Sequence, residues 1–322
     1  MVENRRKAVF SVFGEVRRIL RFTFSPGGMF TFRVPVYSRA GGNIFSGVKD
    51  LQFVKVHTAG SDFLVCEGLT DAETRRAARL LDRHTGVGGE GIVLVLPEAD
   101  GGVRARLLLP DGSEGEPCAT AAIAAAKYLF DRGKIRSSVR LCLCGATYPV
   151  RLTVMGSRVL CAWVDLPPIT PRPLEQLKYY HGIRGEVLRA CLVNPRVSIY
   201  GLCGTHAVFL LESCAALRAL NLKSVCGRLC EVLFYGERIR LHFAAVSGDN
   251  ALAMRSYDKA VGECASSGEG AAVVAYAARA ASLADEDRVL VKCLGGTFCV
   301  DLDGTAASLC AKCETVFSGD AG

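Results

Sequence analysis

Two alanine-rich segments, residues 119–131 and 270–283, constrain the fold most, because each follows several short apolar runs separated by glycine and aspartate. Short apolar runs between turn residues predict strands, and the longer alanine-rich segments predict helices. This order of strands, helix and strands occurs twice along the chain. The sequence therefore predicts a mixed α/β (α+β) fold with two halves of similar build, separated by the proline-rich residues 167–173.

These elements divide the chain into an extension and two domains. The extension covers residues 1–50, the first domain covers 51–169 and the second covers 170–304. A third helix is predicted over residues 70–82. The strands are predicted at residues 53–56, 63–65, 92–96, 104–109, 139–143, 148–153, 160–164, 207–211, 239–245, 288–292 and 297–301.

A small nucleophilic residue stands just before each alanine-rich helix, Cys118 in the first half and Ser267 in the second. The free N–H groups and the dipole at a helix N-terminus stabilise a thiolate or a bound carboxylate. Two such helix ends facing each other would bind the carboxylate of an amino acid. The alternative is purely structural: Cys118 is a small buried apolar residue and Ser267 is a helix N-cap.

The formal charge of +7 lies almost entirely in residues 1–50, which hold nine basic and three acidic side chains. The remaining body is nearly neutral, so no nucleic-acid partner is expected. Within the extension, Val9, Phe13, Val16 and Leu20 have helical spacing beside arginines. That pattern predicts a basic amphipathic helix in weak contact with an anionic membrane surface, or else a simple appended segment.

Fifteen cysteines in a chain of 322 residues with 50% apolar content indicate reduced thiols rather than a disulfide framework. Cys310 and Cys313 form an isolated pair without nearby histidines, so no metal site is predicted. No uncharged apolar run reaches the roughly 20 residues that a bilayer span needs. A soluble cytoplasmic protein is expected.

Six segments, in order, resemble the diaminopimelate epimerase family over roughly residues 51–319. They are residues 53–63, 83–91, 110–118, 206–208, 257–259 and 262–270, and residues 295–296 and 316–319 resemble the closing strands of that family. The resemblance implies two pseudo-symmetric domains, each a curved mixed sheet around a central helix, with residues 305–319 returning to close the first domain. It also implies a cofactor-independent isomerase, an amino-acid racemase or epimerase of lysine and diaminopimelate metabolism.

The resemblance implies that one cysteine thiolate removes the α-proton of an amino acid while the opposite thiol protonates the other face. Cys118 and His206 match the catalytic cysteine and histidine of the family. Ser267 occupies the position of the second cysteine, and a hydroxyl is a far weaker acid than a thiol. Asp258 stands at the position of the acidic residue, while Cys264 is the alternative second thiol if the loop is rebuilt.

The substrate-binding positions implied by the resemblance are altered. The asparagines of the family fall on Ser61, Leu109, Gly204 and His242, its arginine on Lys259, and its carboxylate-binding turns on Ala119, Thr120, Gly268 and Glu269. Leucine cannot form hydrogen bonds, lysine lacks the guanidinium fork, and Glu269 adds a negative charge. Diaminopimelate itself is therefore not expected, although an amino acid remains the expected ligand.

Two alternatives to a racemase stay open. A single thiol can still remove an α-proton, so a dehydratase-like enzyme that eliminates a β-substituent is consistent with the sequence. The altered asparagine positions also allow a catalytically impaired paralogue, a pseudoenzyme that binds a ligand or a partner enzyme. A homodimer is compatible with any of the three.

Overall fold

The protein is a sheet-dominated α+β fold, as the sequence predicts. The computed structural model describes residues 7–8, 20–24, 30–33, 51–69, 77–97, 102–173, 196–232, 238–259 and 261–321. The strands are β1 Lys7–Ala8, β2 Leu20–Phe24, β3 Phe30–Arg33, β4 Leu51–Thr58, β5 Ser61–Glu67, β6 Gly91–Pro97, β7 Val103–Leu108, β8 Ser138–Leu143, β9 Ala146–Met155, β10 Arg158–Leu166, β11 Thr170–Arg172, β12 Arg196–Gly201, β13 Thr205–Leu210, β14 Ile239–Gly248, β15 Ala251–Asp258, β16 Gly262–Cys264, β17 Arg288–Lys292, β18 Thr297–Asp303, β19 Ala306–Ala311 and β20 Cys313–Ala321. The helices are α1 Ala119–Asp131, α2 Cys214–Ala219, α3 Leu222–Val232 and α4 Gly268–Ala280, with a 3-10 helix at Ala78–Leu81.

The two halves repeat one pattern of strand pairing. In the first half, β5 pairs in parallel with β6, and β7 pairs in parallel with β8 after α1. In the second half, β13 pairs in parallel with β14, and β15 pairs in parallel with β17 after α4. Each helix therefore crosses from one strand to a parallel neighbour, and both helix N-termini follow the ends of equivalent strands.

The last two strands run back to the first half. β19 pairs with both β10 and β18, so the hydrogen-bonded ladder is continuous from one half to the other. β20 lies antiparallel to β4 and parallel to β3. The C-terminal strands thus join the beginning and the middle of the chain.

Both long helices are buried almost all round, which alanine and glycine allow because strands can approach small side chains closely. Eleven of the 13 residues of α1 are buried, and the buried residues of α4 extend from Gly268 to Ala278. Residues of both helices belong to one apolar cluster together with strands of both halves, including Phe63, Tyr148 and Phe298. A helix that is buried on every side is a core element, and here it fixes its own N-terminus relative to the surrounding strands.

The halves also touch through two glycines beside the site. A Cβ added to Gly295 would lie 2.7 Å from the Cα of Gly60, whose φ is +94°. Neither position can carry a side chain without displacing the other backbone. This contact holds the turn before Ser61, the first residue of β5, against the loop before β18.

Several sequence predictions need correction. The end of the predicted helix 70–82 is a 3-10 turn, while residues 70–76 lie outside the described part. Leu20 begins a strand rather than continuing a helix, and Val9, Phe13 and Val16 lie outside the described part. The proline-rich boundary contains the short strand β11, whereas β15 was not predicted because two of its buried alternate positions, Ser256 and Asp258, are polar. Among the described helices, none is long and apolar enough to cross a membrane.

Candidate active site

The N-termini of α1 and α4 meet in the middle of the molecule. Cys118 is the N-cap of α1 with φ −145° and ψ 116°, and Ser267 is the N-cap of α4 with φ −153° and ψ 115°. The two residues therefore have the same local geometry. A Cβ added to Gly268 would lie 3.3 Å from Cβ of Ala119, so the first turns of the helices are in contact.

A cavity of about 470 Å³ opens at this meeting point. It is large enough for an amino-acid-sized ligand. Ten of the site positions named from the sequence line it, namely Ser61, Leu109, Cys118, Thr120, His242, Asp258, Cys264, Ser267, Gly268 and Glu269. The other four, Ala119, Gly204, His206 and Lys259, do not line the cavity.

Cys118 faces the cavity as a thiol. Its Sγ lies 3.1 Å from Oγ1 of Thr120. Burial, reinforced by the negative charge of Glu269, raises the pKa of Cys118 to about 12. A helix N-terminus lowers the pKa of a thiol, so at Cys118 the effect of burial outweighs that of the helix.

Ser267 is a helix cap that also faces the cavity. Its Oγ accepts a hydrogen bond of 3.1 Å from the N–H of Gly270, which leaves the hydroxyl proton available to another acceptor. Cys264 lines the same cavity, and its Sγ donates to the carbonyl of Gly262 at 3.6 Å. The thiols of Cys118 and Cys264 and the hydroxyl of Ser267 therefore border one cavity.

Behind the cavity, the two histidines form a fixed hydrogen-bonded chain. Nε2 of His206 lies 2.9 Å from the carbonyl oxygen of Leu202, which can only accept. Because burial lowers the pKa of both imidazoles, they are neutral, and Nδ1 of His206 must accept from Nε2 of His242 at 2.9 Å. Nδ1 of His242 then accepts from the hydroxyl of Ser256, also at 2.9 Å.

His206 itself does not reach the cavity. Its side chain is fully buried, and its two ring nitrogens are engaged by His242 and by the carbonyl of Leu202. Of these two histidines, His242 borders the cavity. A Cβ added to Gly270 would lie 2.7 Å from Nδ1 of His242, which explains why α4 carries a glycine here.

Three arginines, Arg83, Arg238 and Arg240, line the cavity, whereas Lys259 does not. Lys259 is exposed in the turn after β15. Arg240 lies two residues before His242 on β14, on the same face of the strand, and its Nη2 donates to Oε2 of Glu116 at 2.6 Å. Its Nε lies 3.8 Å from Oδ2 of Asp258. Residues two positions apart on a strand face the same side, so the spacing of residues 240 and 242 is the sequence signal that identifies this arginine.

Two of the glutamates that border the cavity, Glu90 and Glu269, have raised pKa values that the sequence did not indicate. Burial raises the pKa of Glu90 to about 7, against the opposing effect of a hydrogen bond with Ser61. The hydroxyl of Ser61 lies 2.9 Å from that of Ser266. Burial also raises the pKa of Glu269, whose Oε1 accepts from the N–H of Ala119 at 2.6 Å. Perturbed acids of this kind concentrate at functional sites.

The chain is similar in sequence to diaminopimelate epimerases along most of its length. It is 28% identical to the "Diaminopimelate epimerase" of Desulfovibrio desulfuricans over 284 residues, which cover 84% of this chain and 98% of that one. It is also 28% identical to the protein of the same name from Pelotomaculum thermopropionicum over 281 residues, with the same two coverages. The resemblance predicted from the motifs is confirmed. No protein-family model matches the sequence.

Solved structures share the fold at lower sequence identity. A phenazine biosynthesis protein of the PhzF family from Enterococcus faecalis has a TM-score of 0.64 at 13% identity, covering 85% of this chain and 100% of that one. A hydroxyproline epimerase from Agrobacterium vitis has a TM-score of 0.60 at 13% identity, covering 84% and 91%. The predicted fold class is therefore confirmed. The names of the epimerases among these proteins agree with the isomerase class implied by the sequence resemblance.

Proposed function

We propose that the protein is a cofactor-independent isomerase that removes and returns the α-proton of an amino acid in this cavity. The observation that carries the proposal is that Cys118 and Ser267, the N-caps of two matching helices, border the same cavity. A proton-transfer group on each side of an α-carbon is the arrangement that inversion at that carbon requires. The confirmed resemblance to diaminopimelate epimerases supports an amino acid of the lysine and diaminopimelate type as the substrate class, in the cytoplasm.

In the proposed reaction, the Cys118 thiolate takes the α-proton and the electron pair stays on the substrate as a carbanion. A proton from the opposite side, held by Ser267 or Cys264, returns to the α-carbon. Because burial and the charge of Glu269 raise the pKa of Cys118 to about 12, the thiolate needs a positive charge beside it, which the ammonium group of the bound amino acid would supply.

The test is exchange of the α-proton in heavy water with a panel of amino acids, followed by mass spectrometry. We expect α-deuterium with the wild type and a loss of about 100-fold or more with Cys118→Ala. Cys142→Ala is the matched control, because Cys142 lies on β8 outside the cavity. Exchange by Cys118→Ala at the wild-type rate would contradict the role of Cys118.

The second proton donor is tested separately. Cys264→Ala and Ser267→Ala are compared in the same assay, and Ser267→Cys supplies a second thiol at the N-cap of α4. If Ser267 is the donor, Ser267→Ala lowers exchange with inversion and Ser267→Cys raises it. If Cys264 is the donor, Cys264→Ala lowers exchange with inversion and Ser267→Ala does not.

A second candidate is a non-catalytic paralogue that binds a ligand in the cavity. It is favoured by the high pKa of Cys118 and by the cap that Ser267 makes to its own helix. Saturable binding of an amino acid without any α-deuterium would support this candidate and contradict the isomerase.

A further inference from the structure

The carboxylate of Glu269 lies at the contact between the two helix N-termini. Glu269 is the second residue of α4, and only 3% of it is exposed. Its Oε1 accepts from the N–H of Ala119, the first residue of α1, at 2.6 Å. The hydroxyl of Tyr148 on β9 lies 3.4 Å from the same oxygen and 3.4 Å from Sγ of Cys203, so its proton is shared between these two acceptors. Donors from two other elements thus hold this side chain.

This position has the chemistry of an anion-binding site. The N–H of Ala119 is one of the amides that have no partner within α1, and the dipoles of both helices are positive at this end. Arg240 adds a positive charge that opposes the burial-induced rise of the Glu269 pKa. A carboxylate from a ligand would find the same donors attractive. In this chain the carboxylate of Glu269 already occupies that position beside these donors.

We propose that Glu269 determines the specificity of the cavity by occupying, from within the chain, the place between the helices where a ligand carboxylate would bind. This inference rests on the proposed function and refines its substrate class. The ligand presents a cationic group such as an amine to Glu269, and its own carboxylate lies elsewhere in the cavity.

The physical basis is discrimination by charge. A second carboxylate at this point would face Glu269 across a buried, poorly solvated space and would lack the amide that Glu269 already engages. An ammonium group would instead form a charge-assisted hydrogen bond with it. Glu269 borders the cavity and is in reach of a bound molecule.

Two substitutions separate the space that Glu269 fills from the charge that it carries. Glu269→Ser vacates the space and removes the charge, whereas Glu269→Gln keeps nearly the same shape without the charge. Glu286→Ser is the matched control, because Glu286 is an exposed glutamate of the same half that does not border the cavity.

The experiment is an NMR titration of the isotopically labelled protein, which follows the amide of Ala119 during addition of acetate or of methylammonium chloride. We expect acetate to bind Glu269→Ser at least about tenfold more tightly than it binds the wild type or Glu286→Ser. We expect methylammonium to bind the wild type more tightly than it binds Glu269→Gln by a similar factor.

Equal acetate affinity at Ala119 in the wild type and Glu269→Ser would overturn the proposal. Equal methylammonium affinity in the wild type and Glu269→Gln would overturn it as well, and this arm does not depend on the folding of the serine variant. Neither titration requires turnover. A failure of α-proton exchange would therefore refute the isomerase proposal while leaving this result intact.

Discussion

The imidazole rings of His206 and His242 are stacked, with centroids 5.1 Å apart and planes inclined by 20°, and Nδ1 of His206 lies 2.9 Å from Nε2 of His242. The carbonyl of Leu202 at one end fixes both tautomers, so Ser256 must donate at the other. One buried carbonyl thus sets the hydrogen-bonding state of a side chain that borders the cavity.

The first prediction concerns stability at low pH. Burial lowers the pKa of His206 from 6.5 to about 3, so this group contributes stability above pH 6.5 that is lost as the pH falls towards 3. Within this window the unfolded chain binds one more proton at His206 than the folded protein does. The free energy of unfolding therefore falls by about 1.4 kcal/mol for each unit by which the pH is lowered. His206→Leu has no imidazole at this position and is not subject to this loss. The difference in free energy of unfolding between the wild type and His206→Leu should therefore shrink as the pH falls.

Urea denaturation at several pH values measures this difference. At neutral pH, His206→Leu should lose about 2 kcal/mol, because Nε2–H of His242 is left without its acceptor. The exposed His84 provides the control, and His84→Leu should change the free energy of unfolding by less than about 0.5 kcal/mol. A deficit for His206→Leu that is constant between pH 4 and 6.5 would contradict the assignment of a neutral buried pair.

Glu90 should have the opposite pH dependence. Its pKa rises from 4.5 to about 7 on folding, so the folded protein retains a proton that the unfolded chain releases. Raising the pH from 4.5 through 7 therefore costs stability, by up to about 1.4 kcal/mol per pH unit. Glu90→Gln has no carboxyl group to ionise, so its free energy of unfolding should rise relative to that of the wild type as the pH increases over that window. Thermal denaturation of both proteins across the window would detect it, and parallel curves would count against a buried, protonated Glu90.

The charge of Glu269 should control the reactivity of Cys118. Glu269 is the second-largest cause of the raised thiol pKa, after burial. Glu269→Gln should lower that pKa and increase alkylation of Cys118 by iodoacetamide several-fold at pH 8, because the thiolate is the reacting form. Mass spectrometry of the Cys118 peptide gives the rate, with the Cys142 peptide as the internal standard and Glu286→Gln as the control. An unchanged rate would show that burial alone holds the thiol protonated.

The sequence predicted the central helices correctly because their alanine content leaves few other structures for such long runs. It also placed Cys118 and Ser267 at the starts of these helices, since a helix start is a local feature of the sequence. The buried position of His206 and the place of Arg240 at the cavity could not be obtained in this way. They depend on which side chain of a buried strand faces the cavity, and on the parallel pairing of β13 with β14, which sets His206 beside Arg240 and brings the two imidazoles together.

The final prediction tests the packing of α4 against the histidine pair. Gly270→Ala would place a Cβ 2.7 Å from both Nδ1 of His242 and Oγ of Ser267, so one of these groups must move. We expect a loss of about 1–3 kcal/mol in the free energy of unfolding, because a rigid buried ring has no room to shift. Gly227→Ala in α3 is the matched control, since no atom lies within 4 Å of its added Cβ. That change should stabilise the protein by about 0.5–1 kcal/mol through helix propensity. Urea denaturation measures the free energy of unfolding of both variants. Similar changes for the two substitutions would mean that His242 does not pack on Gly270.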